Sequence, residues 1–96
     1  MMRVQWTDRA TCDLRELELY LKSTGMIDVQ AVVDRIVLAT YWLLEHPGGG
    51  PRTGRAPRRK WTPPGQRHAV IIYKPVRDGI AVLRIRHARS NWRKGP

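Results

Sequence analysis

The chain has 96 residues, one cysteine and a formal net charge of +10. This length predicts a single domain spanning 1–96, and Cys12 alone excludes an internal disulfide. The apolar runs are too short to cross a membrane, and the first residues lack the apolar core of a signal peptide. We therefore expect a cytoplasmic protein with no membrane contact.

The positive charge is concentrated in the second half of the chain. Up to Glu45 there are five basic and seven acidic residues, whereas from Arg52 onward there are thirteen basic residues and one acid, Asp78. Solubility alone would not require this separation. It indicates a polyanionic partner, either nucleic acid or an acidic protein segment.

A short strand and a helix are predicted first. Residues 3–6 alternate between polar and apolar, as a strand does, and Thr7 is suited to cap a helix that Gly25 closes. Four apolar residues at helical spacing form one stripe: Ala10, Leu14, Leu17 and Leu21. Three residues off this stripe are expected to face solvent: Arg9, Asp13 and Glu16.

A second helix is predicted to begin after Asp28 and to end at His46-Pro47. Its apolar face is broad and comprises Val29, Val32, Val33, Ile36, Thr40, Leu43 and Leu44. Because β-branched residues are mediocre helix formers, this helix should need packing against the first helix and a sheet. Trp42 is expected to lie in the core, with a contact surface as the alternative.

Residues 47–66 are rich in proline, glycine and arginine. They predict a mobile basic loop around one short strand near Arg58 to Thr62, anchored by Trp61. This segment separates an N-terminal part, 1–46, which holds one strand and the helical hairpin, from a C-terminal part, 67–96, which holds two strands and a basic tail.

The last two strands are predicted to form a hairpin. The first runs from Arg67 to Lys74 and is ended by Pro75, and Asp78-Gly79 forms the turn before a strand from Ile80 to His87. Strict alternation would place Ala81, Leu83 and Ile85 on one face and Val82, Arg84 and Arg86 on the other. The second face would hold two guanidinium groups side by side in water.

The predicted order of elements is β-α-α-β-β-β. It favours an α+β fold in which a helical hairpin packs on one face of a small antiparallel sheet, with the last strands as a meander.

In this order and spacing the sequence resembles the RelE/ParE superfamily of type II toxin–antitoxin toxins, also labelled plasmid stabilisation proteins. The matching positions are Val4, Trp6, Thr7, Ala10, Asp13, Leu14, Tyr20, Ala31, Ile36, Leu44 to Pro47, Gly54, Arg55, Ile72, Tyr73, Ile80, Val82 to Ile85, His87 and Arg89. They cover nearly the whole chain, although the segment from Gly48 to Gly65 departs from the usual family pattern.

The resemblance implies one of two mechanisms. RelE-like members are ribosome-dependent mRNA endonucleases, whereas ParE-like members lack the RelE catalytic set and several inhibit DNA gyrase. The strand from Leu83 to His87, with Arg89, is closer to the ParE side. We therefore expect a gyrase inhibitor without catalysis of its own or a cofactor, neutralised by an acidic antitoxin in a toxin–antitoxin hetero-oligomer.

The residues themselves leave alternatives open. Metal-free RNA cleavage on the ribosome needs a base, an acid and cations for the phosphorane, for which His87, His68, Arg84, Arg86, Arg67 and Lys60 are candidates. Arg84 could instead pair with an acid from the helices, and His87 could be a strand-end residue bonded to backbone. A non-toxic RNA-binding module is a third reading. The scattered histidines have no metal-ligand spacing.

The surface predicted to bind the target or nucleic acid gathers the basic and aromatic residues of the second half. It comprises Arg58, Arg59, Lys60, Arg67, Arg84, Arg86, His87, Arg89 and Trp92.

Overall fold

The computed structural model describes residues 2–54, 56–64 and 69–87. In these ranges the elements are β1 (Arg3–Trp6), α1 (Asp8–Ser23), α2 (Val29–Glu45), β2 (Arg59–Trp61), β3 (Ala69–Val76) and β4 (Gly79–His87). This order and the α+β class confirm the prediction.

The four strands form one sheet in the order β1-β4-β3-β2. β2, β3 and β4 are the predicted antiparallel meander, but β1 runs parallel to β4, with Val4 opposite Ile80. The sheet is therefore mixed. Alternation of side chains specifies which face of β1 is buried but carries no information on the direction of its neighbour.

Position 79 must be a glycine because Arg3 of β1 lies too close to leave room for a side chain. The turn is centred on Arg77-Asp78, and Gly79 is the first residue of β4, with φ +145°. A Cβ atom there would overlap the carbonyl oxygen of Arg3, whose own N–H donates to Asp78 O at 2.8 Å. The glycine thus serves strand pairing as well as the turn.

Pro75 does not end β3, contrary to the prediction. It lies within the strand, opposite Ile80 of β4. The pairing of β3 with β2 stops at Tyr73, so Pro75 lies beyond the last β2 partner and its missing N–H interrupts no bond to that strand.

Both helices begin at the predicted caps. Thr7 Oγ1 accepts from Ala10 N–H at 3.1 Å and donates to Leu83 O at 3.0 Å, which fixes the start of α1 on β4. Asp28 caps α2 by accepting from Ala31 N–H. Gly25 follows α1 with φ +83°.

The core lies between the helices and one face of the sheet. Its buried cluster is Ala10, Leu17, Leu21, Val29, Ile36, Leu43, Ala69, Ile71, Tyr73, Ile80, Val82 and Ile85. Trp42 is not part of it and is 41% exposed, so the prediction of a core Trp42 is wrong.

The basic segment after α2 folds back along β2 instead of forming a free loop. Lys60 N–H donates to Pro51 O, and Thr53 N–H donates to Arg58 O, both at 3.0 Å. The buried hydroxyl of Tyr73 accepts from Gly50 N–H and donates to Pro47 O, also at 3.0 Å. These bonds tie the segment to the core strand β3.

Candidate target-binding surface

A β-bulge at Leu83 decides which way the side chains of β4 point. Ile72 lies opposite Arg84 and Tyr73 lies opposite Val82, so Leu83 has no opposite residue in β3. Strict alternation is lost at this point. Val82 and Ile85, three positions apart, consequently both belong to the core cluster.

The bulge leaves two arginines on the side of the sheet away from the core. Residues directly opposite each other on neighbouring strands share a face, and Ile71 with Ile85 defines the core side. Arg84 (opposite Ile72) and Arg86 (opposite Val70) therefore lie on the other side, which we call the outer sheet face. Val82 does not lie with them, contrary to the predicted alternation.

Lys60 extends this outer sheet face onto β2. It is paired with Ile72, which is itself paired with Arg84, so Lys60, Ile72 and Arg84 form one row across three strands. Lys74, opposite Ala81, adds a further cation to the face. The row places a lysine and an arginine on either side of an apolar residue.

Arg84 is held by an acid of α1. Its Nε donates to Asp13 Oδ2 at 2.6 Å and its Nη2 donates to Oδ1 at 3.2 Å. The two side chains are 23% and 9% exposed, so the predictions that Arg84 extends into water and that Asp13 faces solvent are both wrong. The alternative in which Arg84 pairs with a helical acid is confirmed. The hydrogen bond with Asp13 is the main cause that raises the pKa of Arg84.

Asp13 is drawn to β4 because β1 is short. β1 ends at Trp6, opposite Val82, and α1 then passes the continuing edge of β4. Asp13 Oδ2 accepts there from Ile85 N–H at 3.0 Å, which satisfies a backbone donor that β1 does not reach.

Arg86 lies near three other arginines: Arg84, Arg9 and Arg58. Partial burial is the main cause that lowers its pKa, and the positive charge of Arg84 lowers it further, with smaller effects from Arg9 and Arg58 and opposition from Asp13. Both causes disfavour the charged guanidinium. A bound anion would relieve the repulsion among these cations, so the outer sheet face is suited electrostatically to an anionic partner.

His87 points to the other side of the sheet. It is opposite Ala69 of the core row, and its ring meets Tyr20 of α1 edge to face, with ring centroids 4.7 Å apart. Arg84 and His87, two of the candidates for RNA cleavage, are thus not brought together on one face.

The remaining predicted site residues are dispersed. Arg59 is opposite Tyr73 on the core side and donates from Nη1 to Gly50 O at 2.8 Å, which makes it part of the loop structure. Arg58 is half-buried beside β2. Arg67, His68, Arg89 and Trp92 lie outside the described residues.

A family model described as "ParE toxin of type II toxin-antitoxin system, parDE" matches residues 4–92. The chain belongs to the ParE toxin family. Its fold is similar to a solved chain of the chromosomal ParDE TA system from P. aeruginosa, with a TM-score of 0.75 and 23% identity over 93% of this chain and 98% of that chain. No curated protein matches the sequence.

This membership confirms the resemblance seen in the sequence and identifies the chain as a toxin of a type II toxin–antitoxin system. A ParDE system implies an antitoxin partner. At 23% identity, the likeness to the solved chain supports the fold alone.

One feature of the toxin was not anticipated from its sequence. A groove of about 410 Å³ lies between α2 and the end of β2 with the residues that follow it. Leu38 and Trp42 line one side, and Trp61, Pro63 and Pro64 line the other. The available signal was a set of apolar residues off the core face of α2: Leu38, Tyr41 and Trp42.

The described part of the toxin offers no group of three or more His, Cys, Asp or Glu side chains that could hold a metal ion. Neither helix is long and apolar enough to span a membrane.

Proposed function

We propose that this ParE-family toxin arrests growth by binding and inhibiting DNA gyrase, without catalysis of its own, through the outer sheet face and the basic residues that follow β4. The observation that carries the proposal is the shared position of Lys60, Arg84 and Arg86 on the outer sheet face. We also propose that the toxin acts in the cytoplasm as part of a toxin–antitoxin hetero-oligomer.

The arrangement of cations favours recognition of an anionic surface. Arginine presents several donors in a planar fork that matches a carboxylate or a phosphate. Asp13 already takes the Nε and Nη2 of Arg84, so this guanidinium is held in place and can bond a target only through its remaining Nη donors. A cation held in place loses less side-chain entropy on binding than a mobile one.

The rival function, a ribosome-dependent mRNA endonuclease, is less well supported by the geometry. A general base must reach the ribose 2′-hydroxyl while cations hold the adjacent phosphate. His87 lies against Tyr20 on the helical side, whereas Arg84 is opposite Ile72 on the outer side. A binding function does not need His87 and Arg84 to meet on one substrate, so it requires less rearrangement of the described residues.

The charge distribution also supports an acidic antitoxin. All the excess positive charge lies from Arg52 onward. A negatively charged partner would be steered to that half and bound faster than a neutral one.

A supercoiling assay with purified gyrase and relaxed plasmid tests the proposal. Added toxin should block supercoiling, and the antitoxin should restore it. Normal supercoiling at a large excess of toxin would remove gyrase as the target. Toeprinting on translating ribosomes serves as the second arm: cleavage in the A site would support the endonuclease instead.

A further inference from the structure

The strands supply the outer sheet face with basic side chains and no acidic ones. Its cations are Lys60, Lys74, Arg84 and Arg86. None of the four described strands contains an aspartate or a glutamate. Asp13 and Asp78, which lie outside the strands, are each paired with an arginine. The face therefore has a positive charge that an anionic ligand would offset.

The cations are spread over the face instead of meeting at one point. Lys60 and Arg84 lie in one row with Ile72 between them, so their Cα atoms are about 9 to 10 Å apart, because neighbouring strands lie about 4.8 Å apart. Arg84 and Arg86 are two residues apart on β4, which separates their Cα atoms by about 7 Å. One carboxylate does not span such an array, whereas a phosphate backbone, with a charge about every 3.4 Å of helix axis on each strand, does.

The aromatic side chains of the strands lie on the opposite side of the sheet. Trp6, Trp61 and Tyr73 all pack in or against the core. Single-stranded nucleic acid is bound without sequence preference largely by stacking its bases on aromatic rings, and protein interfaces are commonly anchored by tryptophan and tyrosine. The described strands offer neither feature on the outer sheet face. This arrangement favours the backbone of a duplex over a single strand or a protein surface.

The residues between the cations are small or apolar. Ile72 is 8% exposed and Ala81 is 6% exposed, and Val70 lies opposite Arg86 on the same face. These side chains have no donor or acceptor for the edge of a base. Contacts to phosphates position a protein on DNA but carry no sequence information, so binding by this face should be independent of sequence.

The electrostatics of Arg86 agree with a phosphate ligand. Partial burial is the main cause that lowers its pKa, and the nearby Arg84 lowers it further. A phosphate placed beside the two guanidinium groups would favour their charged forms and offset both effects. Lysine is also a good phosphate partner, as a compact point charge, which gives Lys60 and Lys74 the same role.

We infer that the outer sheet face binds the phosphate backbone of the duplex DNA on which gyrase acts, without reading its base sequence. The inference rests on the proposed function and names the ligand of the surface. In this arrangement the toxin contacts DNA directly and does not depend on gyrase for that contact. The toxin should therefore bind a DNA duplex weakly by itself and bind gyrase more tightly when the enzyme holds DNA.

Fluorescence anisotropy of a labelled duplex of about 20 bp, titrated with purified toxin at several salt concentrations, tests the inference. The plot of log K against log salt should have a slope of about −2 or steeper. Lys60→Gln with Lys74→Gln should make this slope shallower by about 1.8 and weaken binding at least about tenfold. Arg15→Gln with Lys22→Gln makes the same change in net charge on the exposed face of α1, and it should keep the wild-type slope and bind within about threefold of wild type.

The outcomes distinguish a DNA-binding face from general basicity. Equal losses in the two double variants would overturn the inference, because the contribution of the outer sheet face would be no larger than that of α1. Polyglutamate that binds as tightly as the duplex, or a single strand of the same length that binds more tightly, would overturn the assignment to duplex DNA. Equal affinity for two duplexes of different sequence supports it, and a strong preference for one contradicts it.

The inference and the proposed function can fail separately. A toxin that blocks supercoiling but binds no duplex at low salt would overturn the DNA contact and leave gyrase as the target. A toxin that binds duplex DNA through Lys60 and Lys74 while supercoiling stays normal would support the DNA contact and remove gyrase as the target.

Discussion

Asp13 of α1 and Arg84 of β4 form a two-point ion pair across the edge of the sheet, with donor–acceptor distances of 2.6 Å and 3.2 Å. The same carboxylate accepts from Ile85 N–H just beyond the bulge. One acid therefore fixes the first helix, the end of β4 and the guanidinium that we place in the target-binding surface.

Replacing Asp13 should reduce stability markedly. Asp13→Ala removes the partner of a mostly buried arginine and leaves the Ile85 N–H without its acceptor, so we expect a loss of about 2–4 kcal/mol in the free energy of unfolding. Urea denaturation measures this loss. Asp34→Ala, which removes an exposed contact with Gln30, is the control and should change stability by less than about 0.5 kcal/mol. Equal losses would contradict the structural role of Asp13.

Tyr73 offers a test of how the basic segment is attached. Tyr73→Phe removes a buried hydroxyl that bonds both Pro47 O and Gly50 N–H, and it should cost about 1–3 kcal/mol. The same substitution at the exposed Tyr41 is the control and should be nearly neutral. Thermal unfolding distinguishes the two, and a neutral Tyr73→Phe would mean that the segment is not held through this hydroxyl.

Three glycine-to-alanine variants should lose different amounts of stability, according to the local geometry of each glycine. Gly48→Ala has open space and should change stability by less than about 1 kcal/mol. Gly25→Ala must adopt φ +83° without a clash and should cost about 1–2 kcal/mol. Gly79→Ala combines positive φ with overlap on the Arg3 backbone and should cost at least about 3 kcal/mol. If Gly79→Ala does not cost the most in urea denaturation, the close parallel pairing of β1 with β4 is contradicted.

His87→Ala distinguishes binding from catalysis. His87 contacts Tyr20 on the helical side, so we expect the variant to remain toxic on expression and to lose no more than about 1 kcal/mol of stability. Growth curves with and without induction measure toxicity, and thermal unfolding verifies folding. A folded variant without toxicity would restore His87 as a candidate catalytic residue.

The order of elements and both helix caps could be predicted because local chemistry specifies them. Thr7 and Asp28 provide cap oxygens, and the helical stripes have clear periodicity. The parallel pairing of β1 could not be predicted, since alternation is the same for both strand directions.

The candidate surface was predicted only in part, and the bulge at Leu83 is the reason. An inserted residue reverses the alternation, so Val82 and Ile85 share the core side while Arg84 and Arg86 stay on the outer face. The sequence predicts a solvent-facing Asp13 because this residue lies off the apolar stripe of α1. Its burial depends on where β1 ends, which is a property of the tertiary structure.

The central claim, that the outer sheet face binds gyrase, is tested most directly by the supercoiling assay on two charge-matched double variants. Lys60→Glu with Arg86→Gln alters the outer sheet face, and Arg15→Glu with Lys22→Gln makes the same net change on α1. After circular dichroism confirms that both are folded, the first should need at least about tenfold more toxin for half-inhibition, and the second should resemble wild type. Equal inhibition by the two variants would contradict the claim.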